Sequence, residues 1–124
     1  MAGRLSPVAA TKVAELQAFT PKVARINSLV ENYATARTNA ETYQTSLKRA
    51  ADQLRLQFNA SGFDQLSQLC GTIAMATIRA GNQNTKMRTL RELVGSLRFQ
   101  VDLAIRIIIR DDEELRGKSE TNEV

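Results

Sequence analysis

Five arginines late in the sequence, Arg88, Arg91, Arg98, Arg106 and Arg110, are the residues whose type and spacing could do chemistry. At ~100° per residue of helix they fall inside an arc of roughly 120°. A guanidinium can hold phosphate oxygens through two parallel hydrogen bonds, so such a row suits a polyanionic backbone. Glu92 lies four residues after Arg88, and Asp102 lies four from both Arg98 and Arg106, spacings that favour pairing along the helix. Five arginines against these two acids leave the face positive. No aromatic side chain is read as interleaved with them, so the expected mode is backbone or shape recognition, without base stacking. A second cluster, Lys48, Arg49 and Arg55, shares its stretch with Asp52. Lys22 and Arg25 follow Pro21 at a possible helix start, where they would oppose the helix dipole and add nothing to local stability.

Other chemistries find little support. The chain contains no histidine, the commonest general base and metal ligand, and a single cysteine. Neither a zinc nor an iron–sulfur site is expected from that composition, and no cofactor is implied. Gly62, Gly71, Gly81 and Gly95 are isolated and none precedes a lysine, so none of them belongs to a phosphate-binding loop. Asp111, Asp112, Glu113 and Glu114 form a row at a helix end, where solvated charge is the expected reading. Cys70 stands beside Leu69 and near Ile73, the setting of a small buried hydrophobe. No catalytic residue is assigned.

The elements that would position the arginines are helices. Of 124 residues 43% are hydrophobic, only six are aromatic, and glycine (six) and proline (two) are scarce, which disfavours a turn-rich β fold. Ser6-Pro7 reads as an N-cap with proline at the first helical position. At Thr20-Pro21 the same device recurs, so the chain either kinks or begins a new helix there. From Pro21 to Phe58 no further glycine or proline interrupts the chain, which carries a stripe from Ile26 through Leu47 to Phe58. It weakens at Arg37, Ala40 and Gln44, and Thr38-Asn-Ala-Glu41 has the form of a capping box. One helix or two, broken near 36–39, both fit that pattern. Asn59-Ala-Ser-Gly62 reads as a loop, a further helix spans about 63–80, and Gly81 is placed to end it. The last helix starts at Asn84 or Thr85 with the stripe Met87, Leu90, Val94, Leu97, Val101, Ile105 and Ile108, and should fade between Arg110 and Leu115. Gly71 and Gly95, inside helices, suggest close helix–helix approach.

The expected architecture is therefore an all-α antiparallel up-down bundle of four helices, or five with the central break. Residues 1–110 would form the bundle and 111–124 an acidic, frayed tail. Charge divides at the same place: residues 1–110 hold 15 basic against 7 acidic residues, and 111–124 hold 2 against 6. Around Ile105–Ile109 the last helix is apolar on nearly every side, so this end is either central in the bundle or faces a partner. The preferred reading makes Leu103, Ile107 and Ile109 a protein interface, to a second copy or a larger partner. The N-terminus lacks the apolar core of a signal peptide and no run is long enough to span a bilayer, so a cytoplasmic location without membrane contact is the default expectation.

The stretch Ala80–Ile107 contains Ala80-Gly81, a polar turn, Lys86, and Gly95 followed by Leu97 and Arg98. It resembles the third-helix region of accessory variability determinant proteins of diversity-generating retroelements. That resemblance implies a basic four-helix bundle that forms rings and binds a reverse transcriptase and its RNA. The four-helix proteins of ribosomal intervening sequences share the architecture. The similarity covers about 28 of 124 residues, and this chain lacks the helix that those families carry after the stretch. As a class, the chain is also similar to the small helical subunits of CRISPR effector complexes, which line a bound nucleic acid with basic side chains. Together these readings lead to one expectation: a non-catalytic helical subunit of a nucleoprotein complex, contacting RNA or DNA backbone. The alternative is a structural or adaptor bundle that binds protein only.

Overall fold

A computed structural model describes residues 5–122. The first four residues of the expected bundle and the last two of the expected tail lie outside the described residues. Four helices account for nearly all of the rest: α1 (Pro7–Thr35), α2 (Ala40–Ala60), α3 (Asp64–Ile78) and α4 (Gln83–Asn122). Each packs on the next, and α1 closes against α4, while the Cα atoms of the diagonal pairs α1–α3 and α2–α4 stay more than 8 Å apart. Short connections make successive helices antiparallel, as in an up-down bundle.

The count of four arises from a different partition than the sequence suggested. No break occurs at Pro21, which lies inside α1. Ser6 starts that helix by accepting the Ala9 N–H on its hydroxyl at 3.3 Å, with Pro7 in the first turn. A mid-helix proline costs on the order of 3 kcal/mol. Here the buried row Leu16, Phe19, Val23, Ile26 and Val30 passes it in unbroken register, so core packing offsets that cost. Pro21 and Gln17, whose carbonyl loses its helical partner, both face solvent.

The break falls instead at residues 36–39, where Ala36 turns extended at ψ 128°. Thr38 does not complete a capping box: α2 begins at Ala40 after Asn39, without a side-chain cap. The weak stripe at Arg37, Ala40 and Gln44 marks this interruption. Gln44 has a separate task, donating from Nε2 to the Thr77 carbonyl near the end of α3 at 2.8 Å. At the other end of α2 the chain reverses through Gly62 at φ +84°. The Gly62 N–H donates to the Asn59 carbonyl and the Phe63 N–H to the Phe58 carbonyl, the bond pair of a Schellman motif. Residues Asn59 and Ala60 therefore belong to α2 rather than to a loop. Helix α3 stops at Ile78, earlier than expected, and Gly81 sits in the following connection at φ +141°. Asn82 then caps α4, its Oδ1 accepting from the Asn84 and Thr85 N–H groups.

The core runs along the bundle axis. Phe58 of α2 and Phe19 of α1 meet with ring centroids 4.2 Å apart, and Leu47, Ile73, Leu90, Leu97 and Cys70 are fully buried elsewhere along the same core. Burial pushes the Cys70 thiol up to about 12, so it stays protonated and acts as a small apolar residue. Gly71 meets α2 only through a side chain: an added Cβ would come within 3.2 Å of the Arg55 Cδ and not of the α2 backbone. Gly95 makes no such contact: it faces solvent, with nothing within 4 Å of where a Cβ would be.

The end of α4 departs most from expectation. The helix does not fade at Arg110–Leu115 but continues to Asn122. Ile105 and Ile108 pack against the core, and one turn later Asp112, 8% exposed, reaches the start of α1. Its Oδ2 accepts the Ser6 N–H at 3.1 Å, and Arg116 lies 3.8 Å away. A carboxylate at the positive end of the α1 dipole is favourable, which gives the acidic segment a reason to remain helical. Asp111, Glu113 and Glu114 point to solvent.

Hydrogen bonds from the Ser6 hydroxyl and then its N–H, with a smaller contribution from Arg116, hold the Asp112 carboxyl below its usual range. Because the folded-state pKa is depressed, the contact contributes fully above the ordinary aspartate value and is lost as pH falls through the depressed one. Asp112→Asn should therefore lower the urea midpoint at neutral pH. The gap from the natural chain should close as pH drops below about 4. An equal gap at all pH values would place the effect elsewhere.

Candidate nucleic-acid interface

Helix α4 is ~60 Å long at ~1.5 Å per residue, and its inner stripe from Met87 to Val101 is buried. Fixing that stripe inward turns the arginine arc outward. Arg88, Arg98 and Arg106 are exposed, and among the described residues none of them has a carboxylate at ion-pair distance. The pairs suggested by spacing, Arg88–Glu92 and Arg98–Asp102–Arg106, do not form. On an exposed helix face such contacts gain little against side-chain entropy, so spacing alone does not enforce them.

The other two arginines are engaged. Arg91 grips Glu31 of α1 with Nε 2.9 Å from Oε2 and Nη2 3.0 Å from Oε1. This fork holds the Glu31 carboxyl below its ordinary range and raises Arg91 further. Arg91 thus ties α4 to α1. Arg110 lies 3.6 Å from Asp111.

The second cluster divides. Lys48 and Arg55 share Asp52, at 2.8 and 3.8 Å, and lie towards α3. Arg49 borders the same groove as Lys48 and Asp52 without pairing to Asp52, and on its other side lines a groove of about 290 Å³ between α2 and α1. Across it stand Lys22 and Arg25, with Ser46, Gln53 and Gln57 completing the polar lining and no carboxylate among them. Lys22 donates to Gln57 Oε1 at 2.8 Å. On the opposite flank of α1, Arg98 lines a second groove with Thr20, Ala24, Asn27 and Asp102. Cations from three helices therefore border both sides of α1. Sequence reading had noted Lys22 and Arg25 separately, but their meeting with Arg49 depends on how α1 and α2 pack.

Phe99 was missed. At ~100° per residue it falls about 20° from both Arg88 and Arg106, inside the arginine arc, and it is 60% exposed. The same helical projection that grouped the arginines would have found it.

The apolar end of α4 is mostly covered by the chain itself, since Ile105 and Ile108 pack on the core and Ile109 is half-buried. Leu103 and Ile107 line an open groove of about 640 Å³ between α3 and α4, and Ile107 is 37% exposed. Ile109 is not part of that surface: it lies about 160° around the helix from Ile107, on the α1 side.

Among the described residues no cluster of three metal-ligating side chains occurs, and no helix is long and apolar enough to cross a membrane. The fold and face together define an all-α four-helix bundle with a basic outer surface. No family model, curated protein or solved structure matches the chain.

Proposed function

We propose that this protein is a non-catalytic helical subunit that binds the phosphate backbone of RNA or DNA and docks on protein within a nucleoprotein complex. The observation that carries the reading is the row of exposed, unpaired guanidinium groups of Arg88, Arg98 and Arg106 on a rigid helix. Lys22, Arg25 and Arg49 extend the positive surface around α1. Arg91 serves the bundle through Glu31, and Lys48 and Arg55 are partly neutralised by Asp52. The resemblance of Ala80–Ile107 to accessory variability determinant proteins supports the same kind of role.

Anisotropy of labelled RNA, single-stranded DNA and duplex DNA, titrated with the full chain at low salt, tests this. Binding that weakens steeply with added salt is expected, since released counterions drive backbone contacts. Absence of binding to all three would overturn it. The protein-only alternative draws on the Leu103–Ile107 groove. A stable oligomer that ignores nucleic acid and dissociates on Ile107→Glu would favour that alternative.

A further inference from the structure

We infer that the α4 face takes single-stranded nucleic acid, with an unpaired base stacked on Phe99. This rests on the reading that the same face binds a phosphate backbone. Phe99 contributes little to the core, as its ring is left 60% exposed on a helix whose inner stripe is complete without it. Its surroundings are cationic along the strand direction a backbone would follow. Arg106 lies ~10 Å further along the helix and Arg88 ~16 Å back on nearly the same line, while Arg98 is turned ~100° from the ring towards α1. One turn before the ring, Gly95 leaves open space where any other side chain would begin. A flat base can therefore approach the ring while its flanking phosphates meet guanidinium groups.

Charge decides the occupant. An apolar protein knob would gain from the ring but leave the unpaired Arg88 and Arg106 in line with it, whereas a single strand supplies both a π-face and the anions. Glu92 and Asp102 share the face, and neither pairs with these arginines. Duplex bases are already stacked and cannot reach the ring without being unpaired.

The test uses the full chain and three labelled probes: a mixed-sequence RNA strand, the equivalent DNA strand, and a DNA strand of equal length and charge built from abasic units. On both intact strands Phe99→Ala should weaken binding about 10-fold, with an unchanged salt slope and an unchanged unfolding midpoint. The natural chain should lose a similar factor on the abasic strand, and Phe99→Trp should retain affinity for the intact ones. Equal affinity for intact and abasic strands, or a Phe99→Ala chain that binds as the natural one does, overturns the stacking while leaving the backbone reading in place. Failure to bind any of these single strands overturns the inference, and the backbone reading falls with it if duplex DNA is not bound either.

Discussion

Replacing Arg88, Arg98 and Arg106 together by glutamine should weaken nucleic-acid binding on the order of 100-fold at low salt and leave the bundle intact. All three side chains are exposed and none has a partner among the described residues, so their loss orphans no buried group there. Glutamine keeps a helix-compatible stem, and helicity and unfolding midpoint should stay near those of the natural chain. The salt slope gives the sharper reading. Each lost phosphate contact should reduce its magnitude by about 0.7 on a single strand, so the triple variant should be flatter by about 2. Arg91→Gln provides the internal contrast. Its guanidinium is committed to Glu31, so it should alter the α1–α4 contact more than the slope. A triple variant that binds with unaltered affinity and slope would remove the α4 face from consideration.

Phe58→Ala should be among the most damaging single substitutions to the fold. The ring is fully buried at the end of α2 and packs on Phe19 at 4.2 Å. Removing a buried phenylalanine costs about 3–5 kcal/mol through lost transfer energy and the cavity left behind. A domain of this size has roughly 5–15 kcal/mol of net stability. The urea midpoint should fall accordingly, with little change in the denaturant slope. The same change at Phe99 should cost almost nothing in stability, and the comparison separates a phenylalanine used for folding from one presented to solvent. A Phe58→Ala chain as stable as the natural protein would contradict the assigned core.

Sequence reading reached the all-α bundle because apolar spacing is a strong local signal, and the stripe of α4 from Met87 to Ile108 is buried or packed on the core as read. It misjudged boundaries where tertiary packing overrides local preference. Pro21 carries a local penalty, yet the row from Leu16 to Val30 holds α1 continuous across it. The acidic run after Arg110 reads as solvated charge until Asp112 meets the Ser6 N–H, a contact between residues 106 positions apart. The candidate face shows the same division. The arginine arc follows from helix geometry alone, whereas partner choice does not. Arg91 pairs across helices with Glu31 rather than along α4. The Lys22–Arg25–Arg49 groove exists only after α1 and α2 dock. Phe99 needed no tertiary information, only its inclusion in the helical projection.

The central claim, that unpaired arginines on α4 hold a phosphate backbone, is tested most directly by the dependence of affinity on salt. The quantity to measure is the slope of log K against log salt concentration for the natural chain on a single-stranded RNA. Three phosphate contacts predict a slope of about −2 or steeper, which is on the order of 20-fold weaker binding at 200 mM than at 50 mM salt. A slope near zero, or no binding at low salt to this strand and to duplex DNA alike, would contradict it.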